Sequence, residues 1–199
     1  MSVYSIAVFL ITYLICSINP AIEICKRKTG TDIRDIGTGD AETENATKVL
    51  GRPLGFLVFI LDIVKVILSY YIVYGVGKLF GQDTNIILMK SFMIGALLGQ
   101  CYPIYYSFKG GRGTIVALIT IFILNHQMCY ICLIAGLVIL ILTRMLAMAN
   151  IGGILLFVIL IIVMKPEYTI SALVMAFIIL FKHRRNIQRM IHNQEDKSF

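Results

Sequence analysis

Over 199 residues the chain is 58% hydrophobic and only 15% charged, with a net charge of +7 and a mean hydropathy of +0.86. A soluble domain is about half apolar and about a quarter charged, so this composition excludes a soluble globular fold and implies an integral membrane protein. The positive balance is read as membrane topology together with attraction to anionic headgroups, and no nucleic-acid partner is expected.

A hydrocarbon core about 30 Å thick takes about 20 apolar residues per helix. The first run, 3–24, has no basic residue before it and no small-residue cleavage site after it, so it is expected to stay as a spanning helix rather than be removed as a signal peptide. Residues 26–52 follow, the one long hydrophilic stretch of the chain. Next come apolar runs at 54–79, which carries Asp62 and Lys65, and at 86–108. The segment 114–142 is interrupted by Asn125, His126 and Gln127, and reads either as one kinked crossing or as two short helices meeting at the membrane surface. Runs at 146–164 and 168–181 complete the pattern, the last of them short.

Charge asymmetry chooses between these counts. With seven crossings and the N-terminus outside, the loops 26–52 and 107–113, Arg144 and the tail from Lys182 to Lys197 share one face, which then holds fourteen of the 18 basic residues. A single crossing over 114–142 would send Arg144 and the basic tail outside, against the positive-inside tendency. The expected architecture is therefore all-α: a polytopic membrane helix bundle of about seven transmembrane helices, one domain over 1–199, with its motif loops cytoplasmic. Asp62 and Lys65, one helical turn apart at membrane depth, are costly unless paired, and are read as a structural pair. Cys129 and Cys132 have no partner thiols or histidines at metal-site spacing, so the cysteines are read as packing residues and no metal is expected.

Three cytoplasmic segments carry patterns that chemistry could use. In the first, Gly37-Thr38-Gly39-Asp40 is followed by Asn45, Lys48 and Gly51. Glycines can turn backbone N–H groups toward an anion, and a hydroxyl and a cation would complete a phosphate cradle; an ordinary glycine turn between helices has the same residues. The second, Lys109-Gly110-Gly111-Arg112-Gly113, runs straight into an apolar helix, so two cations, three glycines and a helix N-terminus converge on one anion-binding position. In the third, His183, Asn186 and Arg189 recur every three residues and share one helix face at the end of the last apolar run.

Taken together, the three segments resemble the bacterial PlsY-type glycerol-3-phosphate acyltransferases. The first family motif is matched by Asp32, Ile33, Arg34, Gly37, Thr38, Gly39, Asn45, Lys48 and Gly51, and the second by Gly99, Pro103, Phe108, Lys109, Gly110, Gly111, Arg112 and Gly113. The third is matched by His183, Arg184, Asn186, Ile187, Arg189 and Glu195, and the order and length also agree. The resemblance implies transfer of a fatty acyl group from acyl phosphate to glycerol 3-phosphate, giving lysophosphatidic acid for phospholipid biosynthesis, in a bacterial inner or plasma membrane and without a cofactor. It casts His183, Asn186 and Thr38 as catalytic, and Gly37, Gly39, Asn45, Lys48, Lys109, Gly110, Gly111, Arg112 and Gly113 as substrate and phosphate ligands. Acyl phosphate, glycerol 3-phosphate and membrane lipids are then the partners.

The chain departs from the family at polar positions. Asp40, Glu42 and Glu44 stand where the family has Asn, Gly and Thr, and Gln100 stands for a His. Three carboxylates in one short loop are expected to repel one another and an incoming phosphate, since like charges about 4 Å apart cost about 4 kcal/mol at an effective dielectric near 20. Gln100 takes no proton at neutral pH. An alternative reading follows: a relative without the activity, serving as a lipid or acyl-phosphate sensor or as a partner protein. A transporter or channel is a third, drawing on the polytopic character and the Asp62/Lys65 pair.

Overall fold

The computed structural model describes residues 3–79, 81 and 86–192; Asn193, Glu195 and Lys197 lie outside the described residues. Among the described residues there are ten α-helices, three short 3-10 turns and no strand. The helices are α1 (Val3–Cys16), α2 (Pro20–Thr29), α3 (Thr43–Leu50), α4 (Arg52–Leu79), α5 (Ile86–Cys101), α6 (Thr114–Leu124), α7 (His126–Thr143), α8 (Leu146–Met164), α9 (Thr169–Lys182) and α10 (Arg184–Ile191). They form two compact units, Met1–Thr120 and Ile121–Phe199. Five helical stretches have the length and apolar character to cross a membrane: Val3–Thr29, Arg52–Leu79, Ile86–Tyr106, His126–Thr143 and Leu146–Met164. The apolar α6 and α9 are shorter, at 11 and 14 residues.

In the first unit α1 packs along α5 and also touches α4. The close approach of α1 and α5 depends on Gly95 and Gly99, four apart on one face: a Cβ at Gly95 would lie 2.8 Å from the Phe9 carbonyl, and one at Gly99 2.6 Å from the Tyr13 carbonyl. With no hydrophobic drive between helices in lipid, small residues of this kind are what allow backbones to meet.

The expected continuous helix over 3–24 is broken at 17–19. Pro20 has no N–H for the helical ladder and opens α2, while Asn19 takes up the cap, its Oδ1 accepting the Ile22 N–H at 3.2 Å. The Ile18 carbonyl left over by the break accepts from Lys65 Nζ at 2.9 Å. Lys65 also meets Asp62 at 2.6 Å and donates to Gln100 Oε1 at 2.5 Å. All three side chains are buried, so the pair expected between Asp62 and Lys65 is present and is joined by Gln100 and a backbone carbonyl. Such satisfaction of freed backbone groups is what makes a broken helix tolerable at membrane depth.

Beyond the break, the polar stretch is a folded layer rather than a loose loop. Ile33, Ala41 and Ala46 are buried with Ala21, Ile22, Cys25 and Val58 in a small apolar cluster beneath it. Burying one isoleucine side chain such as Ile33 contributes about 1.5–3 kcal/mol, enough to anchor the chain on either side of the glycine turn.

In the second unit α8 packs against both α7 and α9, with α10 continuing from α9. The segment 114–142 is divided at Asn125, whose Oδ1 caps α7 by accepting the Met128 N–H at 3.0 Å. Gly152 faces Ile139 across the α7–α8 contact, where a Cβ would collide with the isoleucine side chain. Large apolar side chains such as Leu137, Ile141, Val163, Ile170 and Phe177 remain exposed along these helices, the surface that lipid covers. All five cysteines are buried, and no metal-binding cluster occurs among the described residues.

Candidate active site

The first polar segment is organised by one side chain. Asn45, fully buried on α3, donates through Nδ2 to the carbonyls of Ile33 (2.9 Å), Ile36 (3.0 Å) and Asp40 (3.1 Å), and its Oδ1 accepts the Thr38 N–H at 2.8 Å. Gly37 turns the chain with φ +65°, and any Cβ there would strike Asn45 Oδ1. Gly37, Thr38 and Gly39 are therefore wrapped around Asn45, whose amide spends its hydrogen bonds on the turn itself. Thr38 remains half-buried and Gly39 exposed at the turn's outer edge.

Arg34 ties this turn to the second polar segment. It grips Asp32 in a bidentate pair, Nε to Oδ1 at 2.9 Å and Nη2 to Oδ2 at 2.6 Å, and Nη1 donates to the carbonyls of Tyr106 (2.8 Å) and Lys109 (3.0 Å). The hydrogen bond from Arg34 holds the Asp32 carboxyl below its ordinary range, and the same bond raises the guanidinium. From the other side Asn19 Nδ2 donates to the Ala41 carbonyl at 3.1 Å. Asn19, Arg34 and Tyr106, whose hydroxyl donates to Glu23 at 2.7 Å, shape the site without belonging to the expected ligand set. Asn19 followed by Pro20 is a readable cap signature, whereas the carbonyls that Arg34 reaches, of Tyr106 and Lys109, lie more than 70 residues away and leave no local trace.

The three acidic residues do not repel one another across an open loop. Asp40 is paired with Arg112 Nη2, and Glu44 Oε2 lies 3.9 Å from Nη1 of the same guanidinium. Glu44 also takes Lys48 Nζ at 2.9 Å. Glu42 turns inward, and its Oε1 accepts the backbone N–H groups of Arg112 at 2.5 Å and Gly113 at 2.6 Å, at the point where α6 begins. The expected repulsion is thus relieved by opposite charge supplied from Arg112 and from the start of α6. Burial works against the charge on Arg112, but Asp40 and Glu42 outweigh it and raise the guanidinium above its ordinary range. For Glu42 burial prevails over Arg112 and the Gly113 N–H, and pushes the carboxyl up to about 7.

The glycines of the second segment allow this contact. A Cβ on Gly111 would lie 2.5 Å from Glu42 Cγ and 2.8 Å from the Ala41 carbonyl, so only a glycine lets the two segments close. Gly113 has φ +85° immediately before α6, and Gly110 donates its N–H to the Cys101 carbonyl at 3.2 Å. Lys109 is exposed at the rim, as is Lys48. The first unit thus brings Gly37, Thr38, Gly39, Asn45 and Lys48 together with Lys109, Gly110, Gly111, Arg112 and Gly113.

His183 and Asn186 lie in the second unit, both buried, at the junction of α9 and α10. His183 Nδ1 is 2.9 Å from the Ile179 carbonyl. A carbonyl only accepts, so the ring carries a proton on Nδ1.

A family model described as glycerol-3-phosphate acyltransferase matches residues 6–193. The glycerol-3-phosphate acyltransferase of Aquifex aeolicus is 31% identical over 195 residues, covering 96% of this chain and 98% of the relative. That of Thermoanaerobacter sp. is 29% identical over 196 residues, covering 98% and 96%. The crystal structure of PlsY, an integral membrane glycerol 3-phosphate acyltransferase, in its glycerol 3-phosphate form gives a TM-score of 0.85 at 29% identity, over 97% of this chain and 94% of that one. The lysophosphatidic acid form gives 0.81 at 27% identity. A family model that matches nearly the whole length, with a relative 31% identical over 96% of the chain, means that this chain belongs to the glycerol-3-phosphate acyltransferase family.

Proposed function

We propose that the protein transfers a fatty acyl group from acyl phosphate to glycerol 3-phosphate, giving lysophosphatidic acid at the cytoplasmic face of a bacterial inner membrane. The observation that carries this reading is the closure of residues 40–42, just after the glycine turn, onto the Gly111–Gly113 stretch at the start of α6, with Arg112 paired to Asp40. Both substrates bear phosphate, and this arrangement offers cations and helix-terminal N–H groups for it. Phosphate is a good leaving group from a mixed anhydride, so the protein's main task is to position two anions and to stabilise charge on the carbonyl oxygen. In this reading Lys48, Lys109 and Arg112 balance the phosphates and the turn 37–39 borders the anhydride. His183 draws the proton from the attacking hydroxyl, and Asn186 and Thr38 assist at the reacting groups.

The purified protein, given acyl phosphate and glycerol 3-phosphate, is expected to form lysophosphatidic acid. Absence of product with a donor verified as intact overturns the proposal. A second reading, a relative that binds these lipids' precursors without turnover, draws on the engagement of Arg112 and the α6 N–H groups by the chain's own carboxylates. Growth of an acyltransferase-deficient strain on the unmodified gene decides against it.

A further inference from the structure

The anion position in the first unit already holds an anion. Glu42 Oε1 accepts two successive backbone N–H groups at the start of α6, from Arg112 and Gly113, and Gly111 is a glycine where a side chain would collide with Glu42 Cγ. These are the groups that helix geometry aims at a bound phosphate or oxyanion. The two N–H groups that hold Glu42 cannot at the same time hold a substrate phosphate. The carboxyl itself is enclosed, but the residue as a whole keeps some exposure, which gives the side chain a route out.

We infer that Glu42 is an internal competitor for the phosphate-bearing substrates, an affinity-determining residue that must leave the α6 N-terminus, or lose its charge there, before a substrate anion can take the same N–H groups. The inference rests on the acyltransferase reading for which substrates compete, but not for the competition itself.

The groups facing Glu42 set how it responds to pH. Arg112 and the Gly113 N–H favour its charged form; burial, Asp40 and more distantly Asp62 favour the neutral one. Glu44 acts through Arg112, and Lys48 is engaged by Glu44. Asp62 is itself paired with Lys65. The balance leaves the carboxyl at about 7, so it gains charge as pH rises from slightly acid to slightly alkaline. The competitor therefore strengthens with rising pH. A phosphate monoester, with a second pKa of about 6, also becomes a stronger anion as pH rises, and this favours its own binding. The two titrations pull in opposite directions, and removal of the Glu42 carboxylate isolates the second.

The test is direct binding of glycerol 3-phosphate, and separately of inorganic phosphate, to the full-length protein in detergent and to its Glu42→Gln and Glu42→Gly variants, from about pH 6 to about pH 8. The unmodified protein is expected to gain less affinity with rising pH than either variant. Both variants are expected to follow the phosphate's own titration and to bind about tenfold tighter at the alkaline end, the effect of about one unit of differential interaction. Binding by both variants no tighter than by the unmodified protein, or an advantage of the variants that does not grow with pH, overturns the inference. Either variant carries the comparison, so misfolding of one leaves the test standing. Turnover on the same preparations separates the two claims: tighter binding without lysophosphatidic acid sinks the acyltransferase reading and leaves the competitor in place. A fall in kcat at unchanged KM in Glu42→Gln would instead make Glu42 a participant in the chemistry, and the competitor role would be lost.

Discussion

Asn45 is the residue on which the first polar segment depends. Its single amide reaches four backbone groups of residues 33–40, two N–H donors shared among three carbonyls and the oxygen accepting from Thr38, and no water-filled alternative is open to a fully buried side chain. Each bond contributes about 0.5–1.5 kcal/mol net, and stranded carbonyls add to the loss. Asn45→Ala is accordingly expected to lower unfolding stability in detergent by about 2–4 kcal/mol and to abolish turnover together with it. An unchanged unfolding curve accompanied by lost activity would instead make Asn45 a substrate ligand. Motif matching by itself does not separate these roles, because a residue that holds a phosphate-binding turn in shape recurs as faithfully as one that touches the phosphate. The acidic residues teach a related lesson. Read along the chain, Asp40, Glu42 and Glu44 are a cluster of like charge; in three dimensions each has a cationic or N–H partner contributed by Arg112, Gly113 or Lys48.

At the scale of elements, the break between α1 and α2 connects the membrane-embedded helices to the site. Asn19 caps α2 and donates to the Ala41 carbonyl, next to Glu42, while the carbonyl of Ile18 is held by Lys65 from α4. Lys65 in turn joins Asp62 and Gln100. Gln100 therefore has an evident structural task here, accepting from an ammonium, that requires no titratable ring. Removing one member of a buried charge pair costs about 3–5 kcal/mol because its partner stays behind uncompensated. Lys65→Met is expected to destabilise the protein by about that amount, and Asp62→Asn added to it should restore part of the loss. Unfolding of the single and double variants checks this, and equal stability of all three proteins would remove the pair from any supporting role. Pro20 made the break legible in the sequence, but the apolar run 3–24 masked it, since hydropathy does not register a missing N–H. The Gly95 and Gly99 contact was legible as a small-residue spacing of four.

For the whole molecule, the positive-inside argument still carries the count of crossings. It puts Lys28, Lys109 and Arg185 on one side and Lys78 and Glu167 on the other. All five native cysteines are buried, so single cysteines at these five exposed positions would report on a quiet background. A membrane-impermeant thiol reagent applied outside intact cells is expected to label Lys78→Cys and Glu167→Cys and to spare the other three. Labelling of Glu167→Cys only after the membrane is opened would refute seven crossings. The two shorter helices, α6 and α9, are where that count is most exposed to refutation, being 11 and 14 residues against the about 20 that a full crossing takes.

Composition and order along the chain were enough to determine the class, the helical architecture, the division at Asn125 as one of two options, and the family, because hydropathy, glycine spacing and short motifs are local properties. The tertiary structure alone decided what the polar residues do. It turned Asn45 into the centre of a turn, Arg34 into a clamp on the Tyr106 and Lys109 carbonyls, and Glu42 into the anion at the start of α6. The reason is physical: a charge or an amide has no fixed role until its partners are known, and here those partners come from segments up to 75 residues away.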